Sequence, residues 1–157
     1  IQRLSLDLHE IIQDAIHHTD LIFKNKSGKL QTQFKASNST VFGNKSHMTN
    51  VLVNLLDNAI KYCEIIPNVK IETLNDENNF ILKVIDNGIG MTPSVQKKIF
   101  DKFYRATSGN IHTTKGHGLG LAYVKRIVDL HKGQINLESK ENVGTKFILT
   151  FPIYKLI

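Results

Sequence analysis

Asn50, Asn54 and Asn58 recur at four-residue intervals, with Asp57 and Lys61 beside them. At about 100° per residue these five fall within one arc of roughly 100° on a helix, opposite Val51, Leu52, Leu55, Leu56 and Ala59. A solvated helix face is ordinarily built from Glu, Lys and Arg, because Asn is a poor helix former whose amide competes for backbone hydrogen bonds. Amide oxygens so placed suit a hard cation such as Mg²⁺, which takes few protein ligands and completes its octahedron with water and phosphate oxygens. The spacing alone is equally compatible with a solvated face. A second constellation, Asp86-Asn87-Gly88-Ile89-Gly90, follows a strand-like run. An ionised Asp there can accept two donor hydrogens, for instance from an exocyclic amine and a bridging water, and the glycines let backbone approach a ligand; an ordinary turn aspartate has the same surroundings. The third, Gly116-His117-Gly118-Leu119-Gly120-Leu121, offers bare N–H groups at a helix start, which favours phosphate. No Lys-Ser/Thr follows, so it is not a Walker loop, and its glycine spacing excludes a dinucleotide fingerprint. Glycines that only permit close packing would read alike.

The elements that must carry these residues follow from periodicity. Leu8, Ile11, Ile12, Ala15, Ile16 and Ile22 predict an amphipathic helix ending near Ser27-Gly28. Residues 30–42 read as one or two strands, and a second helix is predicted from a Ser46 cap to about Tyr62. Val69–Leu74 and Phe80–Ile85 alternate around NDENN as an antiparallel hairpin. Thr92-Pro93 caps a helix predicted through about Phe103, and residues 106–117 lack any apolar period and read as a long loop. A further helix begins in the glycine run and stops at Gly133, and the strands 134–138 and 145–151 flank ENVG. Helices on one face of a mixed, mostly antiparallel sheet, an α+β two-layer sandwich, are the expected result.

At 157 residues and 41% apolar content the chain is sized for one domain with one core. One cysteine, Cys63, excludes a disulfide framework and any multi-cysteine zinc site. No apolar run approaches the roughly 18 residues of a spanning helix. The first residue is not Met and the start looks helical, so an excised domain is expected. Net charge is +6, and Lys102, Arg105, Lys115, Lys125 and Arg126 supply +5 of it within 102–128, a stretch without Asp or Glu. The excess charge therefore points to a local anionic ligand rather than to a nucleic-acid face.

Taken in order, Asn54-Leu-Leu-Asp-Asn58-Ala-Ile-Lys61-Tyr62, Asp86-Asn-Gly88-Ile-Gly90, Phe100-Asp-Lys-Phe103-Tyr-Arg105, Gly116-His-Gly118-Leu-Gly120-Leu and Gly144-Thr145-Lys-Phe147 resemble the nucleotide-binding boxes of sensor histidine kinases, over nearly the whole chain. The resemblance implies a Bergerat-type ATP-binding sandwich related to the gyrase, Hsp90 and MutL ATPases, with residues 106–117 as a mobile lid over MgATP. It implies that Asp86 binds the adenine amino group with support from Thr145, that Asn58 ligates Mg²⁺ beside Asn54, that Lys61 and Arg105 reach phosphates, and that Tyr62 packs at the adenine. Gly88, Gly90, Gly116, His117, Gly118, Leu119, Gly120 and Leu121 complete the implied nucleotide contacts. Phe100 and Phe103 read equally well as helix core or as gating residues.

The hydrolysing relatives carry Glu at the position of Asn54, where it activates water. Asn54 cannot be that base, whereas a histidine acceptor already presents a nucleophilic lone pair. The implied reaction is γ-phosphoryl transfer from MgATP to a histidine on a separate helical hairpin. His9-Glu10 lacks the ending expected of that hairpin and matches the first catalytic-domain helix instead, so the acceptor domain is expected outside these residues. The whole protein would be a homodimer through that hairpin, membrane-anchored by analogy, with this domain in the cytoplasm and a response regulator downstream. An anti-sigma-type serine kinase and a regulatory nucleotide-binding module without transfer activity are the alternatives.

Overall fold

The structure, a computed structural model, describes residues 3–101 and 119–155. Its first element is a short strand, β1 (Leu4–Asp7), where the sequence looked helical. Leu6 is buried while Leu4 and Ser5 are exposed, and the strand pairs antiparallel with β3 (Thr40–Gly43) in a two-stranded sheet. The turn into helix α1 (Leu8–Asn25) is made by Asp7, whose side chain accepts the His9 N–H at 3.0 Å and the Ser39 hydroxyl at 2.6 Å. α1 buries Leu8, Ile11, Ile12, Ala15, Thr19 and Phe23. It stops close to Ser27-Gly28 as expected: Ser27 takes the left-handed conformation (φ 54°), and Gly28 donates back to the Phe23 carbonyl at 2.8 Å.

The segment 30–42 divides between two sheets. β2 (Lys29–Phe34) runs parallel to β4 (Asn68–Asn75), and β3 turns away to pair with β1. β5 (Asn79–Ile85) and β4 form the expected hairpin. With β6 (Gln134–Lys140) and β7 (Gly144–Pro152) they make a five-stranded sheet in the order β2-β4-β5-β7-β6, antiparallel except for the first pair. One face of this sheet presents Val69, Ile71, Phe80, Leu82, Val84, Phe147, Leu149 and Phe151 to the helices. The core is closed from the helix side by α1, α2 (Lys45–Lys61) and α4 (Leu119–Leu130), with α2 packed against both others. Burying one such Leu or Ile side chain contributes about 1.5–3 kcal/mol.

Two helix ends depart from the sequence reading. The cap of α2 is Asn44, not Ser46; its side-chain oxygen accepts the His47 N–H at 2.9 Å. Helix α3 (Pro93–Lys98) opens on Thr92 and Pro93 as expected but ends five residues short of Phe103. Phe100 therefore follows the helix, packing edge-on to Phe147 with centroids 6.4 Å apart.

His131 joins the end of α4 to the start of α2. Its Nδ1 donates to the Ile127 carbonyl at 2.8 Å, and its Nε2 accepts the Asn44 N–H at 3.0 Å. Only the neutral ring can do both. Gly43 lacks a Cβ that would collide with this imidazole. Burial, more than any other influence, holds the His131 pKa below the ordinary 6.5, with Arg3 and His47 acting in the same direction against the Ile127 hydrogen bond. The unfolded chain then binds more protons near that value than the folded one, so stability is present above about pH 6.5 and is lost as pH falls. His9, lowered by burial against the opposing charge of Asp7, adds in the same sense. Denaturant midpoints are expected to fall between pH 7.5 and 5.5, and to fall less in His131→Gln. An equal fall in that variant would refute the role given to His131.

Candidate functional site

α2 positions the asparagine row. Met48, Val51, Leu52, Leu55, Leu56, Ala59 and Ile60 are buried, which turns Asn50, Asn54, Asp57, Asn58 and Lys61 to the opposite side. Asn54 donates from Nδ2 to the Asn50 carbonyl at 2.8 Å. Because that carbonyl can only accept, the amide orientation follows, and Oδ1 has no hydrogen-bond partner among the described residues. It faces the start of α4, 3.5 Å from where a Cβ on Gly120 would stand. Asn50 reaches the Tyr123 hydroxyl at 3.5 Å on the same helix. The Asn58 amide, half-buried, has no hydrogen-bond partner among the described residues. Lys61 is engaged with Asp57 at 2.8 Å, both side chains about one-third exposed (35% and 29%), a pair worth ~0–1 kcal/mol. Leu121 is half-buried and packs against the core.

Tyr62 ends α2 and ties it to the aspartate loop, its carbonyl accepting the Ile89 N–H at 2.8 Å. Gly88 is required at this junction: a Cβ would stand 2.7 Å from the Tyr62 oxygen and 3.0 Å from Asp86 Oδ1. On the other side Gly90, at φ 68°, sits against the Lys140 carbonyl, and Asn142 donates to the Ile89 carbonyl at 2.7 Å. Asn87 is a brace rather than a ligand group. Its Oδ1 accepts the Asn68 N–H at 2.8 Å and its Nδ2 donates to Ile66 O at 3.0 Å.

Asp86 ends β5 with its two oxygens unequally used. Oδ1 accepts the N–H groups of Gly88 at 2.8 Å and Thr145 at 3.1 Å. None of the described residues donates to Oδ2. Burial raises the Asp86 pKa above the ordinary 3.8, and the two backbone hydrogen bonds pull it back in part. Thr145 is buried at the start of β7, and its hydroxyl meets Ser139 Oγ at 2.8 Å.

Asn54, Asn58, Lys61 and Tyr62 thus share one helix whose end is bonded to the Asp86–Gly90 loop, while Thr145 and Gly120 approach from β7 and α4. Arg105, Gly116, His117, Gly118, the side chain of Leu119, Phe103 and the predicted lid at 106–117 lie outside the described residues. Sequence reasoning missed Ser139, a lone serine on an alternating strand with no motif around it. It also missed Gln96, which donates to the carbonyls of Met91 at 2.9 Å and Ser139 at 3.2 Å. The His9 ring stacks on Phe34 at 4.4 Å and bonds Thr73 at 2.7 Å. Among the described residues no three His, Cys, Asp or Glu side chains cluster as a metal site. A cation here would rely on amide oxygens and on its ligand's phosphates, and the freed Oδ1 of Asn54 with the unengaged amide of Asn58 fits that donor set.

Residues 43–155 match the family described as histidine kinase-, DNA gyrase B-, and HSP90-like ATPase. The chain is 44% identical over 154 residues to the sensor protein RprX of Bacteroides fragilis, covering 96% of this chain and 29% of that protein. It is 33% identical to the sensor-like histidine kinase SenX3 of Mycobacterium tuberculosis, covering 94% and 36%. The chain therefore spans about a third of the length of these relatives. Among solved structures, the catalytic domain of histidine kinase ThkA superposes with a TM-score of 0.79 at 26% identity, over 98% of this chain and 99% of that one. The mycobacterial sensor histidine kinase MprB gives 0.81 at 22% identity, over 99% and 100%. ThkA has also been solved in complex with the response regulator protein TrrA, with 0.79 at 23% identity over 97% and 42%.

Proposed function

This chain belongs to the histidine kinase-, DNA gyrase B- and HSP90-like ATPase family, and from that premise we propose that residues 1–157 are the single catalytic domain of a two-component sensor kinase. It binds MgATP and passes the γ-phosphoryl group to a histidine on a separate hairpin domain. The observation that carries this reading is the divided carboxylate of Asp86, one oxygen held by two backbone N–H groups and the other left to accept from a ligand. An exocyclic amine is the matching partner. A carbonyl in its place would set acceptor against acceptor, so the site selects adenine over guanine.

Asn58, with Asn54 beside it, would hold Mg²⁺. When bound, the ion spreads the charge of the β- and γ-phosphates. Lys61 and Arg105 would add cationic charge on the phosphate side, with Gly120 offering its backbone N–H at the start of α4. Asn54 supplies no base, and none is needed. The acceptor imidazole attacks with its lone pair, the bond to the β,γ-bridging oxygen breaks, ADP leaves, and the ring's other nitrogen can release its proton to solvent. Catalysis is then positioning and charge stabilisation. Homodimerisation through the hairpin and delivery of the phosphoryl group to a response regulator belong to the same proposal. Among the described residues no helix is long and apolar enough to cross a membrane; an anchor elsewhere in the protein is part of the proposal.

The test is incubation of the chain with MgATP and a helical hairpin carrying an acceptor histidine supplied in trans. Acid-labile, alkali-stable phosphate on the hairpin is expected. Acid-stable phosphate on serine, or tight ATP binding without transfer, would replace this reading with one of the alternatives.

A further inference from the structure

We propose that Ser139 is a positioning residue that sets the hydrogen polarity of Thr145 and thereby makes the base subsite select amino over oxo purines. The inference rests on the MgATP reading. Ser139 Oγ lies 2.9 Å from the Met91 N–H, 3.0 Å from the Gly144 carbonyl and 2.8 Å from Thr145 Oγ1. A hydroxyl has one hydrogen and two lone pairs. Met91 N–H can only donate, so it takes one lone pair. Gly144 O can only accept, so it takes the hydrogen. The remaining lone pair receives the hydrogen of Thr145, and all three contacts become hydrogen bonds. The opposite polarity would leave the Ser139 and Gly144 oxygens facing each other with no hydrogen between them.

Thr145 Oγ1, its own hydrogen committed, presents only lone pairs to anything else. Its backbone N–H is bonded to Asp86 Oδ1. The hydroxyl and the carboxylate therefore belong to one connected patch whose open atoms all accept. A water shared between them would give a hydrogen to each and turn lone pairs toward the base, so a water relay keeps the same sense. A 6-amino group satisfies this patch. A 6-oxo group does not.

The measurement is calorimetric affinity for ATP and for inosine triphosphate, which share sugar and phosphates. Parental protein is expected to favour ATP strongly. Ser139→Ala frees the Thr145 hydrogen to turn toward a 6-oxo group, and the ATP-to-ITP affinity ratio is expected to fall about tenfold or more, the scale of one hydrogen bond. Ser139→Cys, close in volume but a weak hydrogen-bond partner, should lower the ratio too and serves if the alanine variant does not fold. Ser139→Thr retains the hydroxyl and should retain the ratio. In a Thr145→Val background Ser139→Ala should change the ratio no further. An unmoved ratio in folded Ser139→Ala or Ser139→Cys, or the same fall without the Thr145 hydroxyl, overturns the assignment. Parental protein that binds neither nucleotide would defeat the MgATP reading itself, whereas tight ATP binding with an unmoved ratio defeats only the role of Ser139.

Discussion

Asp86→Asn is expected to reduce ATP affinity about 100-fold or more while leaving the fold intact. The two oxygens of Asp86 do different work: Oδ1 is claimed by the N–H groups of Gly88 and Thr145. An asparagine must keep its carbonyl oxygen toward those donors and so present its NH₂ where Oδ2 stood. A donor then faces the amino group of the base. Stability should move the other way. Burial raises the Asp86 pKa, so the folded state holds this proton more tightly than the unfolded chain does. The ionised carboxylate therefore opposes folding at neutral pH, and that opposition fades as pH falls through the raised pKa. The nucleotide-free variant is expected to unfold at the same temperature as the parent or higher. Parental ATP affinity should weaken on acidification at a pH above the ordinary carboxylate value of 3.8, with proton release on binding in that range. Calorimetry in two buffers of different ionisation enthalpy reads both effects. Undiminished ATP affinity in Asp86→Asn would remove the adenine assignment.

Asn58→Ala should separate binding from transfer. The residue stands one helical turn beyond Asn54 and its amide is engaged by no described residue, so its loss is expected to leave the base contacts in place. ATP affinity is expected to change by less than about tenfold, while Mg²⁺-dependent transfer to a hairpin in trans falls about 100-fold or more. Thermal unfolding of the nucleotide-free protein should be nearly unaffected, because no side-chain hydrogen bond to a described residue is removed. Transfer equal to the parent would overturn the metal role.

How far the sequence reached depended on the range of the interaction that decides each feature. The face of α2 was legible because 3.6-residue periodicity is local, and the Asp86 loop because glycines beside an aspartate restrict what backbone can do. The strand β1 was not legible. Its Leu4 and Leu6 run into Leu8 and Ile11, and only pairing with Val41 and its neighbours makes the segment extended. Ser46 looked like the cap of α2, but the Asn44 N–H is held by His131, 87 residues away, which starts the helix earlier. Ser139 was invisible because its partners come together only in the fold, Met91 from the loop before α3 and Thr145 from β7.

The corner proposed to face adenine is assembled across 59 residues, where Asp86 follows β5 and Thr145 lies at the start of β7. Neither local hairpin, β4–β5 nor β6–β7, contains it. Only the central pairing of β5 with β7 creates it, with Gly144 lying so close beneath the Asp86 carbonyl that no side chain fits between them. A nascent chain emerging from the ribosome carries its asparagine helix and its aspartate loop long before it has anything to close the corner. On the MgATP proposal, nucleotide capture waits until the last hairpin has docked, and an incomplete translation product that stops short of it is expected to be blind to ATP.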